Sequence, residues 1–400
     1  MPAESAHSRS QGLRAPRDQT RGLKLMKAEP VPGSLIGEVA VAEDDTKRQL
    51  TRIWQELLGI DSVGVDQNYF DLGGDSSLAV HLFVQIEQVF GVKLPLATLF
   101  EAPTIEELAT ILRREARPAA WSPLVAIQTA GSRPPLFCMH GAGGNVLIYR
   151  DLAQRLGSDQ PVYGLQAPGL DGSCPPLTRI EDMAALYSKE IRKMQPHGPY
   201  FLAGYCGGGT VALEVAQQIR AQGERVALLA MFDTMDWSKI PLPSIWDKTY
   251  HGLERLVFHA ANFFRLDSEG KAQFFTEKLQ ILRGRIPVWR GMVLAKFDKK
   301  QRSDGSESLM LAKIWQANDL ACQHYVPRPY PGTITDFRPV KQYRMLNRPD
   351  AKWDHLAQGG QQVVVLPTYP AGMLLEPFVE HLAAALEKSI EEAIRVSQKS

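Results

Sequence analysis

A chain of 400 residues, 44% hydrophobic, 8% aromatic and 22% charged, has material for two or three domains with separate cores and is too long to be one small module. Forty-five Lys and Arg against 44 Asp and Glu leave a formal charge of +1, which excludes the one-signed electrostatic footprint of a general nucleic-acid binder. Four widely spaced cysteines (Cys138, Cys174, Cys206, Cys322) form no C-x-x-C pair, so neither a disulfide framework nor a metal site is expected, and a reducing, cytoplasmic compartment is. No apolar run reaches the roughly 18–20 residues that cross a bilayer, and the polar start lacks the apolar stretch of a signal peptide; no membrane partner is expected.

Residues 1–42, rich in Ala, Arg, Ser, Gly and Pro without apolar periodicity, read as a flexible N-terminal segment. Leu50, Ile53, Trp54, Leu57 and Leu58 then recur at steps of three and four, predicting an amphipathic helix that starts near Asp44, Asp45 and Thr46. A second helical run follows Ser76, carries Leu78, Val80, Leu82, Val84, Ile86 and Val89, and stops at Gly91. Pro103 and Thr104 introduce a third, through Ile105, Leu108, Ile111 and Leu112, with Glu106 and Glu107 at its positive end. Residues 43–115 thus form a small helical bundle.

Within it, Tyr69-Phe70-Asp71-Leu72-Gly73-Gly74-Asp75-Ser76-Ser77-Leu78 sets two glycines and an acid ahead of a helix that opens on serine. A hydroxyl there sits where the helix dipole favours an attached phosphate, although Asp75 or Ser76 also fits a simple N-cap. The segment resembles the phosphopantetheine attachment motif of acyl and peptidyl carrier proteins, over about residues 45–112. The resemblance implies 4'-phosphopantetheine on Ser76, placed there by a phosphopantetheinyl transferase; Ser77 falls where that family has an apolar residue.

Residues 116–122 read as a linker, and 123–394 as a second domain in which short apolar segments (136–139, 162–165, 200–203, 226–232, 333–337, 363–366) alternate with helical runs such as 183–194 and 210–222. That is the pattern of a mostly parallel sheet. The alternation lapses over about 237–310, an aromatic, helix-like insertion suited to a lid. From Lys239 to Arg302 it carries thirteen Lys and Arg against six Asp and Glu, a surplus that suits either an acidic partner, with Arg283 and Arg285 as contacts, or a solvated helical surface.

Gly204-Tyr205-Cys206-Gly207-Gly208 follows a predicted strand and opens a helix. Glycines two residues either side of Cys206 permit the sharp corner of a nucleophile elbow, as in the G-x-S-x-G turn of α/β-hydrolases, with cysteine in the serine position. A thiol at a helix N-terminus is expected to have a lowered pKa. The loop His140-Gly141-Ala142-Gly143-Gly144 ends the first of these strands; the backbone N–H of Ala142, with that of Gly207, is the candidate oxyanion hole. His140 reads as a brace for this loop. A dinucleotide fingerprint is the rival reading of the loop, although Val146 stands where its third glycine is required. Asp233, after the 226–232 strand, is the candidate acid, with a turn cap as its alternative role; Asp336, after a later strand, is in reserve.

Residues 123–394 resemble the type I thioesterase domains that end nonribosomal peptide and polyketide assembly lines, and the carrier-then-thioesterase order matches those lines. The resemblance implies a small all-α, four-helix-type carrier domain followed by an α/β-hydrolase domain with a mostly parallel sheet and a helical lid. It assigns the acyl acceptor to Cys206, the acid to Asp233, and the partners to an upstream synthetase or loading enzymes and an acyl or peptidyl thioester. One position departs from the family. Its histidine normally precedes a Met-Leu-x-Glu-Pro segment, and here Pro370 occupies that place, ahead of Met373-Leu374-Leu375-Glu376-Pro377. His381, on the flank of the last helix, and His324 and His355, which have no motif, are the conceivable substitutes. Thioester exchange onto Cys206 needs less help from a base than hydrolysis does, so aminolysis or cyclisation is expected to compete well with release to water. Alternatives are a non-hydrolytic acyl-binding or acyltransferase module and, more remotely, a nucleotide-binding reductase built on the 141–144 loop.

Overall fold

The structure of the chain is a computed structural model that describes residues 34–114, 121–241, 245–266, 271 and 305–399. Most of the flexible segment, nearly all of the linker, and Arg283 and Arg285 lie outside the described residues. The helical part comprises α1 (Ser34–Leu58), α2 (Ser76–Phe90), α3 (Thr98–Glu101) and α4 (Ile105–Arg114). Its first helix begins ten residues before the predicted capping group; Asp45, instead of capping it, accepts hydrogen bonds within it from Gln49 (2.8 Å) and Arg48 (3.4 Å). The α2 stripe also shifts: Leu78, Ala79, Leu82, Phe83 and Ile86 are buried at helical spacing, while Val89 is exposed. Trp54 and Tyr69 meet edge to face at 5.3 Å in the middle of this core. Ahead of α4, Thr104 and Glu107 cap each other reciprocally: the Glu107 amide donates to Thr104 Oγ1 (3.2 Å), and Glu107 Oε2 accepts from the Thr104 amide (3.2 Å).

Beyond the helical part lies a seven-stranded sheet in the order β1-β3-β2-β4-β5-β6-β7. Its strands are β1 (Leu124–Gln128), β2 (Leu136–Met139), β3 (Val162–Leu165), β4 (Tyr200–Tyr205), β5 (Val226–Phe232), β6 (Ile334–Pro339) and β7 (Gln361–Leu366). All pairs are parallel except β1–β3. The edge strand β1 had no counterpart among the expected segments; five residues broken by a bulge between Ala126 and Gln128 carry too little alternation to announce a strand. The strand period of two sends Phe137, Met139, Leu202, Leu229 and Met231 to one face and Leu136, Cys138, Phe201, Ala203 and Phe232 to the other. The first face is covered by α6 (Ile180–Met194) and α7 (Gly207–Ala221), the second by α5 (Arg150–Arg155) and α10 (Val379–Lys399). The insertion supplies α8 (Ile245–Arg265); after the undescribed stretch, α9 (Gly305–His324) begins within it and runs well past its expected end at 310. Among the described residues no helix is long and apolar enough to cross a membrane.

The carboxyl ends of β2, β4 and β5 share one edge of the sheet, so the 140–144 loop, Cys206 and Asp233 emerge together. Tyr149 fastens that edge: its hydroxyl donates to the Met139 carbonyl (2.6 Å) and accepts from the Tyr205 amide (2.9 Å), joining the ends of β2 and β4 in a fully buried position. Tyr149→Phe removes both of these bonds, and urea unfolding should show a loss of about 1–3 kcal/mol.

Candidate active site and carrier serine

Ser76 is the first residue of α2, and Asp75 is its cap, with Oδ1 accepting from the Leu78 amide at 2.8 Å. The cap reading is therefore right for Asp75, and it leaves Ser76 on the first turn. Gly74 has no substitute here: a Cβ on it would stand 2.4 Å from the Tyr69 ring, so the motif's second glycine lets the loop lie against the bundle core. A phosphate ester on the opening residue of a 15-residue helix meets its positive end, which fits 4'-phosphopantetheine.

Cys206 joins β4 to α7 at φ 56° and ψ −124°, a conformation an L-residue holds only when its surroundings enforce it. Enforcement comes from both sides. The Cys206 amide donates to the Phe232 carbonyl (3.0 Å), and its carbonyl accepts from the Gly209 amide (3.1 Å). A Cβ on Gly204 would lie 2.2 Å from the Gly208 carbonyl oxygen, and one on Gly208 would lie 2.4 Å from that of Met139, so neither position admits a side chain.

Cys206 as a residue is half-buried, and the protein around it pushes the thiol up to about 12, through burial first and then the carboxylate of Asp233, with Asp319 adding to it. The Gly207 amide pulls the other way and loses. The lowered thiol expected from the helix N-terminus is thus overturned: one helix end is outweighed by desolvation and two acids.

Asp233 also has a positive φ, 48°, and its amide is held by the Phe337 carbonyl at 2.9 Å. Its buried carboxyl is raised to about 6, chiefly by burial and further by Asp336, against a hydrogen bond donated by Gln342 Nε2. An amide therefore stands against the candidate acid. Nothing in the run Val340-Lys341-Gln342-Tyr343 signals this role. Asp336, the reserve candidate, lies inside β6, fully buried, and accepts from Arg338 Nε (2.7 Å) and Gln361 Nε2 (2.9 Å).

In the glycine loop, His140 Nδ1 faces the Gly141 carbonyl (2.7 Å) and Nε2 faces the Tyr187 hydroxyl (2.7 Å). A carbonyl only accepts, so Nδ1 carries the proton and Nε2 receives one from tyrosine. Burial lowers this ring to about 4, and it stays neutral as a brace. From the lid, α9 reaches the same loop: Asn318 Nδ2 donates to the Ala142 carbonyl (2.9 Å), and the Trp315 ring lies 3.5 Å from the point a Cβ on Gly143 would occupy. One helix turn on, Cys322 Sγ is 3.8 Å from the Gly207 carbonyl and 2.9 Å from where a Cβ on Gly207 would stand. Ala142 and Gly207 thus lie under one helix, on which Asp319 is an acid the sequence reading missed.

His324, His355 and His381 are all exposed. Pro370 opens a short 3-10 turn, Pro370–Gly372, and the following segment is clamped by Arg155, whose Nε donates to Glu376 Oε1 (2.7 Å) and Nη2 to Oε2 (2.8 Å). Among the described residues no group of three His, Cys, Asp or Glu is placed to hold a metal. A cleft lined by Phe83, Leu96, Leu170 and Met310 contains none of these site residues.

Comparison with known proteins agrees with this layout. Residues 48–112 match the phosphopantetheine attachment site family, and residues 134–304 the thioesterase domain family. The chain is 42% identical over 193 residues to a dimodular nonribosomal peptide synthase of Bacillus subtilis, covering 48% of this chain and 8% of that protein. It is 46% identical over 187 residues to malpinin synthetase of Mortierella alpina, covering 46% of this chain and 2% of that one. The chain thus spans less than a tenth of either relative's length. Among solved structures, a four-domain nonribosomal peptide synthetase bound to AMP and glycine aligns over 92% of this chain and 27% of its own, with TM-score 0.53 and 24% identity, a likeness of fold.

Two pH effects follow from the carboxyl and the thiol. Asp233, raised from 3.8 to about 6, binds its proton more tightly folded than unfolded, so its contribution to stability is present below about pH 4 and is lost as pH rises to 6. Asp233→Asn should flatten that loss in denaturation curves taken across the interval. The same substitution removes the charge that opposes the thiolate, so the pH midpoint for alkylation of Cys206 by iodoacetamide should move down from about 12.

Proposed function

Since this chain carries a phosphopantetheine carrier domain followed by a thioesterase domain of the type found in nonribosomal peptide synthetases, we propose that it takes an acyl or peptidyl chain from a thioester onto Cys206 and then releases or transfers it. The observation that supports this most directly is the strained corner at Cys206, because φ 56° in a non-glycine residue raises the sulfur off the sheet beside the glycine loop. Ser76 holds the prosthetic arm, which supplies the thiol that brings the substrate thioester to the site. Cys206 Sγ attacks the carbonyl carbon; a new C–S bond forms, the old one breaks, and the departing thiolate takes up the Cys206 proton. The Gly207 and Ala142 amides receive the oxyanion. One thioester replaces another, so the exchange is close to thermoneutral.

Release makes a different demand. Water must lose a proton to attack, and Asp233 is engaged by Gln342, with no imidazole bonded to that acid among the described residues. A neutral amine needs no such base, so aminolysis or ring closure is favoured over hydrolysis. Upstream synthetase domains supply the chain, and a phosphopantetheinyl transferase modifies Ser76. Incubation with coenzyme A, that transferase and a loaded acyl group, followed by mass spectrometry, should place the adduct first on Ser76 and then on Cys206, and on Ser76 alone in Cys206→Ala. Arrest on Ser76 in the unaltered protein would instead favour a non-hydrolytic acyl-binding module, a reading to which the raised thiol and the occupied Asp233 lend some support.

Pro370→His tests the missing base. General-base catalysis gives about 10²–10⁴-fold, so single-turnover hydrolysis of the Cys206 acyl-enzyme should rise by at least about tenfold in this variant.

A further inference from the structure

The short stretch that follows the glycine loop, a 3-10 turn at Leu147–Tyr149 continuing into α5, touches three parts of the molecule. Leu147 is buried in the same hydrophobic cluster as the carrier's Leu82 and Leu99, and Phe100 of the carrier packs against both that core and the α5 side of the sheet. Arg150 reaches the loop ahead of the carrier serine: its guanidinium lies 4.3 Å from the centre of the Phe70 ring, and Nη2 is 3.3 Å from Asp71 Oδ1. Tyr149, between them, bonds the amide of Tyr205, the residue before Cys206. Phe70 and Asp71 stand six and five residues before Ser76.

We propose that Arg150 is the docking residue with which the thioesterase domain seats its own carrier for delivery to Cys206, gripping the Phe70-Asp71 loop by charge and by the face of the aromatic ring. This deepens the reading above and rests on it. The two partners are unequal. The Arg150 side chain is 15% exposed and fixed in place by Asp151 at 3.1 Å, whereas that of Asp71 is 72% exposed. A pre-positioned cation facing an exposed acid makes a contact that forms and lets go. Ion pairs with one partner in water and cation–π contacts each shift a population only a few-fold, which biases the seat and still lets the carrier leave to be loaded. The seat is also tied to the strand that carries Cys206, since Arg150 follows Tyr149 and the Tyr149 hydroxyl accepts from the amide at the end of β4.

Charge exchange in the full chain tests this. Arg150→Glu should speed amide hydrogen exchange in residues 69–74 and 147–155 of the unmodified protein, by about tenfold if grip and ring contact are both lost. In the phosphopantetheinylated protein, the rate of acyl transfer from Ser76 to Cys206 should fall by a similar factor relative to acylation of Cys206 by a small N-acetylcysteamine thioester on the same variant. Arg150→Gln, which places no extra acid beside Asp151, should move both readouts the same way by less. Asp71→Arg combined with Arg150→Glu should recover most of each. Unchanged exchange and an unchanged rate ratio in both single variants, or no recovery in the exchanged pair, overturns the proposal. If neither donor acylates Cys206 in the unaltered protein, the reading of Cys206 fails, while hydrogen exchange still decides whether Arg150 holds the seat.

Discussion

The backbone of residue 206 turns through a conformation that only its neighbours make tolerable, and much of the sheet domain is arranged to hold it there. Phe232 at the end of β5 accepts from its amide, Gly209 on α7 donates to its carbonyl, and the Gly204 and Gly208 backbones press so closely on each other and on β2 that neither has room for a Cβ. Asp233, the residue after that β5 carbonyl, is itself at positive φ and pinned by β6. Strain of this kind, on the order of 1–3 kcal/mol per residue, persists because several strands and a helix each enforce part of it.

The electrostatics at that corner are adverse to an anion on sulfur. Burial, Asp233 and Asp319 all oppose the thiolate, and the first amides of α7 are the counterweight. A serine hydroxyl would need a base outright in such a place. A thiol can pass its proton to the departing sulfur during exchange, which makes cysteine the element suited to a corner whose acid is engaged by an amide instead of an imidazole.

Which parts were legible in the sequence follows from the range of the interactions involved. Strands at 136–139, 162–165 and 226–232 and the stop of α2 at Gly91 are set by local periodicity and turn chemistry, and they stand where expected. Both glycine-bracketed motifs were readable for the same reason: Gly74 and Gly208 mark close approach of backbone to a ring or a strand, and only glycine permits it. The thiol's pKa was not readable. It depends first on burial, and further on Asp319, 113 residues away in the chain, and neither leaves a local trace. Gln342 was invisible likewise, since a glutamine in a polar loop has no period and no motif. Asp336, read as following a strand, lies inside β6, which runs on to Pro339.

Cys322 bears on how this architecture tolerates change. Its sulfur rests against the first residue of α7, where a methyl group on Gly207 would meet it at 2.9 Å. Positions 207 and 322, far apart in the chain, therefore share a single allotment of space, filled by one hydrogen and one sulfur. Any enlargement at either would act as a wedge, lifting α9 from the start of α7 by the thickness of the added group. Lineages that enlarge one of the two would then have to shrink or shift the other.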